Sequence, residues 1–153
     1  MITDDYIVTG WNRALSNRMS GTDFEKFCAD FLCAAGFMHA DMTPHSSDDG
    51  IDILASRHDV TYAIQCKRRK KPIGPGIIRS TMGSMDLYET PLHEIGKRTF
   101  LQKNREYRFD YAVVMTNSVF TEKAIHTAES LNILLWDRYW IKQTADETGV
   151  ILL

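Results

Sequence analysis

Apolar positions along the chain change period several times, and the changes divide it into elements. Ile7, Trp11, Ala14, Leu15 and Arg18 fall at helical spacing. This spacing predicts a first amphipathic helix, with Asp4 and Asp5 near its positive N-terminus and Ser20-Gly21 ending it. Phe24, Phe27, Cys28, Phe31, Leu32 and Ala35 then recur at i, i+3, i+4, i+7, i+8 and i+11, a single apolar stripe. Thr22 and Glu25 fit a capping box for this second helix, and Gly36 supplies its stop.

Period-two patterns follow. Phe37 to Thr43, Gly50 to Ser56 and Val60 to Lys67 read as strands, the last two joined by a turn at Arg57-His58-Asp59. KPIGPG stops the third strand, and a helix is predicted over Ile77 to Tyr88 with Ile78, Met82 and Met85 on one face. Thr90 to Tyr107 is polar and irregular and reads as a loop or a poorly packed helix. Tyr111 to Met115 is a nearly continuous apolar run, as expected of a central strand covered on both faces. Thr121 caps a helix with Ala124, Ile125, Ala128 and Leu131 inside. Ile133 to Trp136 is a further strand, and Tyr139 and Trp140 mark a short closing helix. This succession predicts an α/β sandwich around a central mixed sheet of about five strands flanked by helices.

The 153 residues suffice for one domain and are too few for two ordinary ones. A 44% hydrophobic and 25% charged composition argues against disorder and against a disulfide-stapled miniprotein. No apolar run approaches the ~20 residues needed to cross a bilayer. The acidic, polar start argues against a secretory signal, and Cys28, Cys33 and Cys66 show neither paired nor zinc spacing. A reducing cytoplasm is the expectation. There is no glycine-rich phosphate loop, which argues against an ATPase or a dinucleotide enzyme.

Net charge is only −2, but its distribution is uneven. Lys67, Arg68, Arg69, Lys70 and Lys71 are consecutive, whereas Asp41 to Asp52 holds four carboxylates and no Lys or Arg. Alternation in Tyr62 to Lys67 puts Tyr62, Ile64 and Cys66 on one face and Ala63, Gln65 and Lys67 on the other. Asp52 interrupts the apolar alternation of Ile51 and Ile53, and in a hairpin it comes beside Gln65 and Lys67. A hard cation such as Mg²⁺ takes oxygen ligands. Asp52, the Gln65 amide and the backbone carbonyl of Cys66 are candidate donors. Lys67 is placed to hold an attacking water or to neutralise charge on a pentacovalent phosphate. The basic run offers partners for flanking phosphates. Together these describe phosphodiester hydrolysis.

GID followed one hairpin later by QCK resembles the PD-(D/E)XK nuclease superfamily, and most closely its Mrr-type restriction endonuclease branch, in which glutamine replaces the second acidic residue. TDFEKFCADFLCAAGF is similar to the leading helix, SDDGIDILA to the first catalytic strand, and MGSMDLY to the next helix. VVMTNSVFTEKAIHTAESLNILLWD is similar to the closing strand-helix-strand, so the likeness runs over roughly residues 20–137. The resemblance implies a restriction-endonuclease-like fold. Its domain would cover 20–145, between an N-terminal helical extension (1–19) and a C-terminal tail (146–153). It implies Asp52 and Gln65 as metal ligands, Lys67 as the catalytic lysine and Glu25 as a contributor to the metal shell. Asp48 and Gly50 match the positions before the aspartate.

The function implied is a Mg²⁺- or Mn²⁺-dependent DNA endonuclease of a restriction or other defence system. It would act as a dimer or beside a specificity or translocase subunit, with Arg68, Arg69, Lys70 and Lys71 on DNA. A Holliday-junction resolvase is the rival enzyme, and a non-cutting DNA-binding scaffold the rival of another class. Plainer readings stand beside these. Glu25 serves equally as a helix cap, Asp48 and Asp49 as turn carboxylates, and His45 as an ordinary loop residue. Cys66 reads as an inert core thiol. Trp136, Tyr139 and Trp140 read as core or subunit-interface packing, and Val150 to Leu153 as a docking tail.

Overall fold

The apolar stripe of the second helix seeds the larger of two cores. In the computed structural model, which describes residues 6–42, 51–84, 98–102 and 105–153, the elements begin with β1 (Ile7–Val8), α1 (Trp11–Leu15), α2 (Gly21–Ala34) and β2 (Met38–Met42). They continue with β3 (Ile53–Arg57), β4 (Val60–Lys67), α3 (Pro75–Ser84), β5 (Arg98–Gln102) and β6 (Arg105–Phe109). The chain closes with β7 (Tyr111–Thr116), α4 (Glu122–Leu131), β8 (Ile133–Trp136), α5 (Arg138–Thr148) and β9 (Ile151–Leu152). Five strands form one sheet in the order β2-β3-β4-β7-β8. Its β2-β3-β4 half is antiparallel and its β4-β7-β8 half parallel, so the sheet is mixed as predicted.

Helices cover both faces. On one, Phe24, Phe27, Cys28, Phe31 and Leu32 of α2 meet Ile53, Ile64, Cys66, Val113 and Met115 from the sheet, with Ile141 and Ala145 of α5 alongside. Aromatic rings run through this layer from Trp11 to Phe27 (centroids 5.9 Å apart) and on to Phe31, Trp140 and Trp136. On the other face, Ala63, Ala112 and Val114 pack under Ile78 of α3 and Ala124 and Ala128 of α4. Strand β7 feeds both cores alternately, which is why its Ala112–Met115 stretch shows no polar position.

Several local expectations are corrected. Residues from Ile7 do not begin a helix. Ile7 and Val8 pair in parallel with Ile151 and Leu152, and a left-handed Gly10 (φ 102°) separates this strand from α1. The partner strand comes from the far end of the chain, so no local period reports it. The terminal segment predicted to dock does so on its own chain. Ser20, not Thr22, caps α2, its hydroxyl accepting from the Asp23 N–H at 3.0 Å, so Glu25 is not part of a capping box. The hairpin turn is the two residues His58 and Asp59, both left-handed (φ 52° and 64°), as a tight two-residue loop requires.

The stretch read as irregular contains the β5–β6 hairpin, with Phe100 paired to Tyr107. Ile125 is 42% exposed, and α4 buries only the small residues Ala124 and Ala128. The closing helix α5 is longer than predicted, capped by Asp137 on the Trp140 N–H. Helix α3 ends at Ser84. Ile78 is fully buried as expected, while the Met82 side chain and Met85 lie outside the described residues. Among the described residues no helix is long and apolar enough to cross a membrane.

The cap assignment is directly measurable by urea unfolding. Ser20→Ala is expected to lose about 1 kcal/mol of stability. Thr22→Ala, on the exposed face of the same turn, is expected to stay within about 0.5 kcal/mol of the parent. The reverse order would restore the capping box.

Candidate active site

Strict alternation along a strand would put Ile51 and Ile53 on the same face, and it does not hold here. Ile53 packs in the α2 core and Ile51 in the α3/α4 core. Ile53 pairs with Ile64, and the Asp52 N–H donates to that same Ile64 carbonyl at 2.9 Å. Two residues thus stand opposite one, a β-bulge, and the side-chain sequence is offset by one at Asp52. The bulge turns Asp52 out of the sheet pattern. Its Oδ2 accepts the Cys66 N–H at 2.7 Å, and its carboxyl group reaches hydrogen-bonding contact with Glu25 of α2.

Burial pushes the Asp52 carboxyl up to about 7, against the Cys66 N–H, which favours its charged form. Glu25 raises it further by like charge and by hydrogen bonding, and Lys67 lowers it. Asp52, Glu25 and Lys67 therefore lie within electrostatic reach of one another at the C-terminal end of β4. Beneath them the Cys66 thiol is buried against Cys28 of α2, and burial holds its pKa well above the ordinary thiol value. That is the inert thiol the sequence suggested.

Gln65 takes a different direction from the expected shared surface. It is 2% exposed on the α3 side of the sheet, where its Oε1 is hydrogen-bonded to the Thr81 hydroxyl. Asp52 and Gln65 flank the Cys66 backbone from opposite sides, and they do not lie side by side on one face. His45, Asp48, Asp49 and Gly50 lie outside the described residues.

The basic run divides. Arg69, Lys70 and Lys71 are exposed. Arg68 is half-buried and donates from Nη1 to Asn17 Oδ1 at 3.0 Å; its Nε has no partner among the described residues. Asn117, just past β7, accepts the Arg69 N–H at 2.7 Å and donates to the Ala14 carbonyl at 2.8 Å and to Asn17. Ser118 donates to the Lys71 carbonyl at 3.0 Å. Sequence reasoning missed Asn17, Thr81, Asn117 and Ser118. The signal available for the last two was polar residues directly after a buried parallel strand, where such sheets gather their sites.

The comparisons with known proteins bear on this geometry. A family model described as restriction endonuclease, the Mrr catalytic domain, matches residues 16–93, just over half of the chain. The chain belongs to the Mrr-type restriction endonuclease family. The match spans α2, the bulge at Asp52, the Gln65-to-Lys67 strand end and α3, the same parts that carry the resemblance in the sequence. No curated protein matches this Mrr-type chain. A solved structure titled "Crystal Structure of Protein of Unknown Function AF1548" is similar in fold, with a TM-score of 0.52 and 20% identity. The match covers 82% of the present chain and 65% of that one.

Among the described residues no three His, Cys, Asp or Glu side chains cluster as a metal site. The Mrr-type donor set nevertheless suits a hard divalent cation. It holds two carboxylates close together, one of them retaining a proton near neutrality because it is buried beside the other, with the Cys66 backbone adjacent.

The raised Asp52 value fixes a pH dependence for the metal-free protein. Between the ordinary carboxyl range near 4 and about 7, only the folded chain holds this proton, so stability falls as pH rises through that window. The loss is on the order of a few kcal/mol. Asp52→Asn is expected to remove this part of the slope and to be the more stable protein at pH 8 in EDTA. Superimposable stability–pH curves for the two proteins would show that Asp52 ionises normally.

Proposed function

We propose that this Mrr-type chain is a divalent-metal-dependent endodeoxyribonuclease that hydrolyses phosphodiester bonds in a restriction or other defence system. The observation that carries the reading is the contact of Asp52 with Glu25, within reach of Lys67, where the exposed basic segment begins. Asp52 and Glu25 would hold Mg²⁺ or Mn²⁺, with the Cys66 carbonyl as a neutral oxygen donor, whereas Gln65, turned to Thr81, would have to leave that partner to join them. The bound ion would polarise the phosphoryl oxygen and ease deprotonation of water.

The chain's own groups do the remaining work. The Cys66 N–H holds Asp52 Oδ2 and so fixes the carboxylate's orientation. Lys67 orients the attacking water by hydrogen bonding and stabilises negative charge building on the phosphate as the P–O bond to the leaving group breaks. Asn117 fixes the backbone at Arg69, leaving the Arg69, Lys70 and Lys71 side chains to neutralise flanking phosphates. Cutting both strands of a duplex needs two such sites, which favours a dimer or a partner subunit, in a cytoplasmic setting.

Incubation of supercoiled plasmid with Mg²⁺, Mn²⁺ or EDTA tests this. Cutting with either metal and none in EDTA is expected, and Asp52→Ala and Lys67→Ala should each lower the rate at least about 100-fold while melting as folded proteins. Strong preference for four-way junctions over plasmid would make the chain a resolvase. DNA binding without cutting under any metal would make it a scaffold.

The basic segment has its own readout. Changing Arg69, Lys70 and Lys71 together to Gln should weaken DNA binding regardless of sequence. It should also reduce the slope of log K against log salt by up to about 3. An unchanged slope would place the phosphate contacts elsewhere.

A further inference from the structure

The aromatic residues around the start of α5 separate into two kinds. Trp136 and Trp140 stack with centroids 4.1 Å apart and belong to the α2 core. Tyr139 is 63% exposed, more than any other large hydrophobic side chain among the described residues. It stands on a rigid support all the same. The Asp137 cap on the Trp140 N–H and the tryptophan stack fix the first turn of α5. The Arg138 guanidinium lies 5.1 Å from the Tyr139 ring centroid and donates to its hydroxyl at 3.3 Å.

This pair shares a sheet edge with the basic segment. The Arg138 N–H donates to the Ser118 carbonyl at 3.1 Å, and the Ser118 hydroxyl donates to the Lys71 carbonyl at 3.0 Å. One residue thus links the two. Helix α5 covers the same face of the sheet as α2, the helix that carries Glu25. From β3, which Asp52 adjoins, to β8 is three strand steps, about 14 Å. A DNA strand advances about 3.4 Å along its axis per nucleotide, so the span corresponds to about four nucleotides.

We infer that Arg138 and Tyr139 form a second DNA contact, in which the ring stacks on an unpaired base and the guanidinium holds a neighbouring phosphate. This rests on the reading of the chain as a nuclease acting on DNA. Paired bases show a protein only their edges, so a ring reaches a base face only where the base is unpaired or swung out. Stacking is indifferent to base identity, and the contact therefore selects opened DNA rather than a sequence. The substrate class it fits is a duplex with a short gap or an unpaired base near the cut.

The test uses the full chain in EDTA with two fluorescein-labelled duplexes of one sequence. One is fully paired, and the other carries a gap of about four nucleotides containing 2-aminopurine. The parent is expected to prefer the gapped duplex about tenfold, since no base has to be unpaired. Tyr139→Ala should abolish that preference and Tyr139→Phe keep it. Binding should quench 2-aminopurine fluorescence with the parent and Tyr139→Phe but not with Tyr139→Ala. Arg138→Gln should reduce the salt slope by about 1. The same comparison in the Lys67→Ala background with Mg²⁺ covers DNA binding that needs the metal, and urea curves establish that each variant is folded.

Equal binding of both duplexes by the parent, without quenching, overturns the inference and leaves the nuclease reading standing. A gap preference that survives Tyr139→Ala puts the base contact on another residue and overturns it as well. So does a Tyr139→Ala protein that differs from the parent only in losing a dimer on sedimentation, because the ring is then a subunit contact. If neither duplex is bound in either condition, the inference falls together with the DNA reading.

Discussion

A β-strand offers every second side chain to a given face, and a carboxylate placed among apolar residues must then share a core with them or face solvent. Between Ile51 and Ile53 this chain escapes the choice by setting two residues opposite Ile64. Ile51 and Ile53 anchor opposite cores, so neither can slip without exposing a fully buried side chain. Asp52, held between them, turns toward α2 and takes the Cys66 N–H, a donor no longer available to a regular ladder. The bulge therefore does three things together: it directs the carboxylate, satisfies a backbone group and keeps both cores closed.

Everything else in the site is set relative to that carboxylate. Helix α2 carries Glu25 to it, and the height of Glu25 is determined by the apolar stripe at whose edge it sits. Phe24, Phe27, Cys28 and Phe31 are packed against the sheet and against Trp11 and Trp140. Cys28 bears directly on Cys66, so helix and strand meet at the residue whose backbone binds Asp52. Bringing two carboxylates together in a largely buried place is unfavourable without a counter-charge. The raised Asp52 value is the sign of that cost, and a cation or a proton is what relieves it.

The basic segment shows a division between backbone and side chain. Its main chain is fixed to the ends of the parallel strands through Asn117, Ser118 and the Ile73–Val119 hydrogen bond, which leaves Arg69, Lys70 and Lys71 exposed on a rigid support. Arg68 contributes differently, joining this support to α1 through Asn17. Five consecutive cations thus do not share one environment, although their sequence gives no hint of the difference.

The sequence by itself determined the elements whose burial is local in origin. The α2 stripe, the alternation of β4, the unbroken apolar run of β7 and the Thr121 cap of α4 all follow from side chains a few residues apart competing for the same face. The order of Glu25, Asp52, Gln65 and Lys67 was legible as well, because their residue types and spacing are properties of the chain alone. Tertiary structure decided where those groups point. The reversal at Asp52 depends on which core receives Ile51. The choice of Ser20 over Thr22 as cap depends on where α2 can begin once its stripe is docked. The pairing of β1 with β9 and of Gln65 with Thr81 joins residues that the chain brings together only by folding. Period and propensity encode how much each residue is buried; the partner, and hence the direction of a functional group, is set by contacts between distant segments.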